Sequence, residues 1–202
     1  MSMKKQFQVV FRVLFIFGVS ASCNPDDRIQ QTPALAEQIR GLKVKRVTPN
    51  QAVMIADDWG KRITKQAQQE LTRALNGKSA DVLALCQLKN LPKIDSLADL
   101  YGVKISLLGA KDVKNAALNP KEREVLDAYL YNAENKLPQI ANIQKLGDSV
   151  LIYNTPVATN ELICTRCFGQ DPTKLAVWRV KFLKHNIVQK VDEKSLLKLK
   201  KK

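Results

Sequence analysis

The sequence predicts an α+β fold in which helices cover one face of an antiparallel sheet. In the first half of the chain, apolar residues recur at helical spacing, and in the second half several short segments alternate apolar and polar residues. One helical segment interrupts these strand segments, which is typical of an α+β arrangement. Hydrophobic residues make up 45% of the 202 residues, so the chain can form a sizeable core and is not wholly disordered.

A long helix is predicted to begin at Thr48-Pro49-Asn50-Gln51. Thr48 can cap it, Pro49 suits the first helical position, and Gln51 completes a capping box. Asn76-Gly77 is a typical helix end. Between these signals, an apolar stripe follows at spacings of three and four residues: Ala52, Ala56, Trp59, Ile63, Ala67, Leu71 and Leu75.

Shorter helices are predicted elsewhere in the chain. They span residues 34 to about 40, Ser79 to about Leu88, Asp95 to Tyr101, and Lys121 to about Asn132. The segment Lys111 to Asn119 is expected to be a loop.

Four segments are predicted to be strands: residues 103–108, 148–153, 175–183 and 187–191. The last two are expected to pair as a hairpin through Lys184-His185-Asn186. Trp178 and Phe182 fall on the apolar side of the alternation, and Trp59 falls on the helical stripe, so all three are expected to pack in the core.

The first residues have the features of an export signal. Lys4, Lys5 and Arg12 precede a short apolar run and small residues, which is typical of a signal peptide over residues 1–22. Cys23 follows directly and predicts a lipoprotein acylated at that thiol; the alternative is an ordinary signal peptide with a chance cysteine. Residues 23–33 would then be a lipid-anchored tether. The mature domain would span residues 34–193, in the envelope on the periplasmic or outer side of a bacterial membrane.

The charge of +14 arises from 33 basic and 19 acidic residues. The tail, residues 194–202, holds five lysines and no acid. It would either contact anionic lipid or act as a solubilising terminus. The membrane is expected as a partner through the lipid anchor, whereas nucleic acid is not, since no pattern of interleaved aromatic and basic residues is present.

Cysteines offer the main candidate chemistry. Cys164-Thr-Arg-Cys167 is expected in a loop, and such a pair is compatible with half of a zinc site, a redox dithiol, or the thioether anchor of a c-type haem. Haem attachment normally requires a histidine directly after the second cysteine, and this chain has Phe168 there.

Several longer stretches carry a family resemblance over residues 46 to 191. They are LALCQLKNLPKIDSLADLYG, VKISLL, KEREVLDAYLYN, LIYNTPVATNELICTRCFG and VWRVKF. In their order and spacing the chain resembles a family of c-type-haem lipoproteins and kinase sensor domains of uncharacterised function. The resemblance implies a PAS-like fold, with Cys164 and Cys167 as haem anchors and Cys86 as an axial thiolate. The chain departs from the family at Phe168 and at residues 111–117, where the family has an Arg-Asn-Pro-x-Asn-x-Pro loop.

Two other arrangements of the cysteines stay open. A redox or structural disulfide between Cys164 and Cys167 suits an oxidising compartment, and Arg166 between them would lower a thiol pKa. A zinc site would use Cys86, Cys164, Cys167 and His185. Cys86 is otherwise expected to be a small buried apolar residue, and His185 a polar turn residue.

No residue pattern supports an enzyme. The single histidine excludes most histidine-based catalysis, and the pairs Asp57-Asp58 and Glu122-Glu124 are expected on exposed helix faces. The expected function is therefore that of an envelope lipoprotein with a non-catalytic domain for ligand or redox sensing, or for scaffolding, acting through a protein partner. The alternative is a haem-binding or electron-transfer protein with haem on Cys164 and Cys167.

Overall fold

A four-stranded antiparallel sheet forms the centre of the domain in the computed structural model, which describes residues 46–77 and 81–192. The elements follow the chain as helix α1 (Pro49–Asn76), α2 (Val82–Cys86), α3 (Pro92–Tyr101), strand β1 (Val103–Gly109), a 3-10 turn (Ala110–Lys114), α4 (Pro120–Glu134), β2 (Asn142–Leu146), β3 (Val150–Pro156), α5 (Leu162–Cys167), β4 (Ala176–Leu183) and α6 (Lys184–Lys190).

The strand order is β1-β4-β3-β2, and every neighbouring pair is antiparallel. Val180 of β4 lies opposite Ile105 of β1 on one side and Tyr153 of β3 on the other. The predicted α+β class is confirmed, while the PAS-like topology implied by the resemblance stays a prediction.

Helix α1 begins and ends where the sequence predicts. The Thr48 N–H donates to Gln51 Oε1 at 2.9 Å, and the Gln51 N–H donates to Thr48 Oγ1 at 3.2 Å, which completes the capping box. The predicted apolar stripe is buried along its whole length, together with Ile55. Helix α1 therefore supplies one continuous wall of the core.

Both faces of the sheet are covered, although the sequence predicts cover on one face only. Trp178, Val180 and Phe182 of β4 are fully buried in the clusters that α1 helps to form. Their neighbour Val177 points to the opposite face and packs with Leu126 of α4. Strand β4 is the central strand of this two-sided core, and the predicted core positions of Trp59, Trp178 and Phe182 are confirmed.

The predicted hairpin strand at 187–191 is wrong. Residues Lys184–Lys190 form helix α6, and both Ile187 and Val191 are fully buried against the α1 side of the sheet. Two apolar residues four positions apart lie on one side of a helix and also on one side of a strand. The apolar spacing in this short segment is therefore compatible with either structure.

Other boundaries differ in smaller ways. Strand β2 is not among the strands that the sequence predicts. A 3-10 turn forms at the start of the predicted loop after β1. Helix α2 is capped by Asp81, whose Oδ1 accepts from the Ala84 N–H at 2.8 Å, and it ends at Cys86 rather than near Leu88.

Several predictions fall outside the described residues. These are the signal peptide over 1–22, the acylated Cys23, the tether over 23–33, the helix near 34–40, the proposed cap Ser79 and the basic tail over 194–202. Within the described ranges, no helix has the combined length and apolar character needed to cross a membrane.

Candidate functional site

Cys86 and Cys167 are joined by a disulfide. Cys86 ends α2 and Cys167 ends α5; they are 81 positions apart in the chain, and their Cα atoms lie 5.5 Å apart. The predicted bond between Cys164 and Cys167 is therefore wrong in its pairing, and the reading of Cys86 as a simple apolar residue is wrong as well. The CxxC segment lies on a short helix rather than in a loop, so Cys167 reaches across to α2.

Cys164 is the free cysteine among the described residues, and it is fully buried. Its thiol donates to the carbonyl oxygen of Ala158 at 3.3 Å. Burial, together with the nearby Glu161 carboxylate, raises the pKa of this thiol to about 11. While α5 is in place, Cys164 is therefore a protonated, packed side chain at neutral pH.

Phe168, which directly follows Cys167, has a packing role. Its ring lies so close to Gly109, the last residue of β1, that a Cβ at Gly109 would overlap it. This contact fixes the end of α5 against the sheet beside the disulfide. The Phe168 ring therefore occupies the space that a side chain at position 109 would fill.

A cleft of about 750 Å³ borders the disulfide. Cys86, Arg166 and Phe168 line it, and its rim includes the strongly exposed Leu83. Asp171, which is largely buried, pairs with Lys111 at 2.7 Å between Oδ1 and Nζ. The cleft therefore has charged groups of both signs and an apolar wall. Both lie beside a disulfide that reduction would convert to free thiols.

A groove of about 760 Å³ follows the polar side of α1. Hydroxyl, carboxamide and charged groups line it, among them Lys65, Gln68, Tyr153, Thr155 and Glu161. Burial raises the pKa of the Tyr153 hydroxyl at its base, so this group stays a neutral hydrogen-bonding group. The groove can hold a small polar molecule through hydrogen bonds.

Gly60 explains how Tyr153 reaches this position. A Cβ at Gly60 would overlap the Tyr153 ring, so the absence of a side chain lets β3 approach α1 closely. Glycine in the middle of a helix costs about 1 kcal/mol relative to alanine. The close approach of the Tyr153 ring explains why a glycine occupies this helical position.

Glu122 forms a buried ion pair that the sequence reading missed. Its Oε1 accepts from Arg179 Nε at 2.6 Å and lies 2.6 Å from the second guanidinium nitrogen, while Oε2 accepts from the Asn119 N–H at 3.1 Å. The expectation of a solvated Glu122 is therefore wrong. The capping-box spacing from Asn119 to Glu122 was the available signal, but the partner Arg179 is 57 positions away.

The other predicted acidic pair matches its expectation. Asp57 and Asp58 lie on the exposed side of α1 and pair with Lys61 and Arg62 one turn later, at 2.6 and 2.7 Å. Such exposed pairs contribute little to stability or chemistry.

The cysteines in this arrangement do not fit the haem that the resemblance implies. Covalent attachment needs Cys164 and Cys167 as free thiols, and axial ligation needs a free Cys86 thiolate. Instead Cys86 and Cys167 are bonded to each other, and the Cys164 thiol is packed in the core.

The zinc arrangement is not assembled either. His185 is exposed at the start of α6, rather than packed in the cluster that holds the three cysteines. Among the described residues no group of three or more histidine, cysteine or carboxylate side chains is placed to hold a metal ion.

No family model, curated protein or solved structure matches this chain.

Proposed function

We propose that this protein is a lipid-anchored protein of the bacterial cell envelope whose α+β domain is a non-catalytic sensor acting through a protein partner. The observation that carries the proposal is the disulfide between Cys86 and Cys167. Disulfides persist in oxidising compartments and are rare in the cytosol. The bond therefore supports the export signal over residues 1–22 and the acylated Cys23 that the sequence predicts.

Two features support sensing without turnover. The groove beside Tyr153 has polar groups that would bind a small molecule, but the free thiol of the described residues, Cys164, is buried and protonated. His185 is exposed and lies outside the groove lining. Binding at such a site would change packing rather than break bonds.

Helix α5 connects the two candidate sensing features. Glu161, its N-cap residue, lines the groove on α1, and Cys167, its last residue, holds the disulfide to α2. A ligand in the groove and the redox state of the disulfide would therefore both act on the position of α5. A partner protein would respond to the position of α5.

The anchor and compartment are tested with the full chain expressed in a bacterium. Membranes are extracted with detergent, and the intact mass of the mature protein is measured for the wild type and for Cys23→Ser. Acylated wild type in the membrane fraction and non-acylated variant outside it are expected. Equal partition of the two proteins, with no lipid mass on the wild type, would contradict the anchor.

The disulfide is tested in the same cells by acid quenching and labelling of free thiols with a maleimide polymer. The mature protein should gain one label after denaturation and three labels after reduction. Three labels without reduction would remove the observation that carries the proposal.

Sensing itself is tested by hydrogen exchange. Reduction should accelerate amide exchange in α2 and α5 while leaving the central strand β4 protected. Unchanged exchange in α5 after complete reduction would show that the disulfide does not control this helix, and would count against redox sensing.

The haem-binding or electron-transfer alternative is decided by the absorbance of protein co-expressed with haem-maturation machinery. A Soret band that persists after denaturation would support that alternative and contradict the proposal. We expect a colourless protein, because Cys167 is occupied by Cys86.

A further inference from the structure

We propose that Cys167 is shared between two partners, so that the Cys164 thiol can displace Cys86 and move the disulfide from between α2 and α5 to within α5. The exchange would make Cys86 a latent reactive thiol. This inference rests on the oxidising location in the proposed function, because the disulfide must persist, and the experiment below separates the failure of one from the failure of the other.

The Cα atoms of both partners lie close to that of Cys167. Its Cα is 5.5 Å from the Cα of Cys86. Cys164 lies three residues earlier in the same helix, where ideal helix geometry places Cα atoms about 5 Å apart. Disulfides span Cα separations of about 4.4–6.8 Å and Cβ separations of about 3.5–4.5 Å. Residues three apart on a helix have Cβ atoms about 5–6 Å apart, so the bond to Cys164 requires the last turn of α5 to loosen. All three cysteines also contribute to one apolar cluster.

The step is an exchange that needs no external oxidant or reductant. Cys164 loses its proton, and its thiolate attacks Cys167 Sγ in line with the bond to Cys86. The Cys164–Cys167 bond forms as the Cys86–Cys167 bond breaks, and Cys86 leaves as a thiolate that takes up a proton. One disulfide and one thiol are present before and after.

Native packing holds the resting state. The Cys164 thiol is fully buried and donates to the Ala158 carbonyl, so its thiolate is disfavoured while α5 is in place. In an unfolded chain the preference reverses, because closing the short loop of the CxxC costs less chain entropy than closing the 81-residue loop between Cys86 and Cys167. Opening of α5 removes the packing that disfavours the Cys164 thiolate and is therefore the event that permits the exchange.

Exchange would have a local structural consequence. Helix α2 would lose its covalent link to α5, and the released Cys86 thiol would lie half-buried at the edge of the 750 Å³ cleft. A thiol in that place is accessible to a second thiol-bearing molecule, which could then form a mixed disulfide with it. The predicted modification site is therefore Cys86 rather than the CxxC itself.

Trypsin can distinguish the two bonds, because it cleaves after Arg166 between the two cysteines of the motif. The peptide CFGQDPTK, which carries Cys167, would be linked either to SADVLALCQLK or to LGDSVLIYNTPVATNELICTR. The full-length oxidised protein is incubated without reductant in moderate urea at pH 7 and at pH 9, quenched with acid, labelled with N-ethylmaleimide and digested.

At pH 9 the link to the Cys164 peptide should grow at least tenfold faster than at pH 7, since the attacking group is a thiolate, and Cys86 should gain the label in step with it. In Cys164→Ser the link to the Cys86 peptide should remain and Cys86 should stay unlabelled. Cys164→Ala serves the same purpose if the serine variant does not fold.

Persistence of the Cys86–Cys167 link in the wild type up to complete unfolding would overturn the exchange and leave the proposed function intact. Equal labelling of Cys86 in the wild type and the Cys164 variants would also overturn it. A starting protein with three free thiols in the mature domain would instead contradict the disulfide that both proposals use.

Discussion

Loss of the disulfide between Cys86 and Cys167 is expected to lower the free energy of unfolding by about 4.5 kcal/mol. The bond joins positions 81 residues apart, and the chain-entropy relation gives about 15 cal/mol/K for a loop of that length. Native disulfides in small secreted domains contribute about 2–5 kcal/mol, so the value lies near the upper end of this range. For a domain of this size it corresponds to a decrease in Tm of roughly 9–18 °C.

The assay is urea unfolding followed by tryptophan fluorescence, because Trp178 is fully buried and Trp59 nearly so. Oxidised wild type is compared with Cys86→Ser at mildly acidic pH, where thiolates are scarce and the bond does not move to Cys164, and both are measured again in the presence of a phosphine reductant. The variant should be less stable than the oxidised wild type, and the two proteins should differ by less than about 1 kcal/mol once both lack the bond. The reduced pair is the control for any loss of packing caused by the serine.

A difference below about 1 kcal/mol between oxidised wild type and variant would refute the reasoning, since no loop-closure estimate for this separation is so small. An equally large difference in reductant would also refute it, because the loss would then come from the side chain rather than from the bond.

Two further predictions concern a buried ion pair and a close contact between α1 and β3. Glu122→Gln should cost about 3 kcal/mol or more, because it leaves the Arg179 charge buried without its carboxylate, while the matched Glu124→Gln should change stability by less than about 0.5 kcal/mol. Equal effects of the two substitutions in a urea titration would show that burial of Glu122 has no energetic consequence. Gly60→Ala should be destabilising by about 1–3 kcal/mol, since its Cβ would overlap the Tyr153 ring, although alanine is the better helix former. A variant more stable than the wild type in thermal unfolding would contradict the close approach.

Elements with a complete local signal could be predicted from the sequence. Helix α1 has a capping box, a proline at its first position and a stripe of apolar residues, and each of these is a property of neighbouring residues. Strand β4 likewise shows its alternation around Trp178. The main core residues therefore followed from spacing alone.

Short segments were harder for a physical reason. Helix α6 contains two turns at most. The spacing of Ile187 and Val191 is compatible with a helix as well as with a strand, so only packing against α1 selects the helix. Strand β2 has a weak apolar pattern, because it lies at the edge of the sheet and is paired only with β3.

The sequence by itself determined the fold class, the long helix and the presence of three cysteines in the domain. Only the tertiary structure decided that Cys167 bonds to Cys86 and that Glu122 meets Arg179. Both pairings join residues more than fifty positions apart, and no local pattern encodes a distance of that kind. They arise because α2 meets α5 and α4 meets β4 when the apolar surfaces are buried, which brings distant side chains within bonding range.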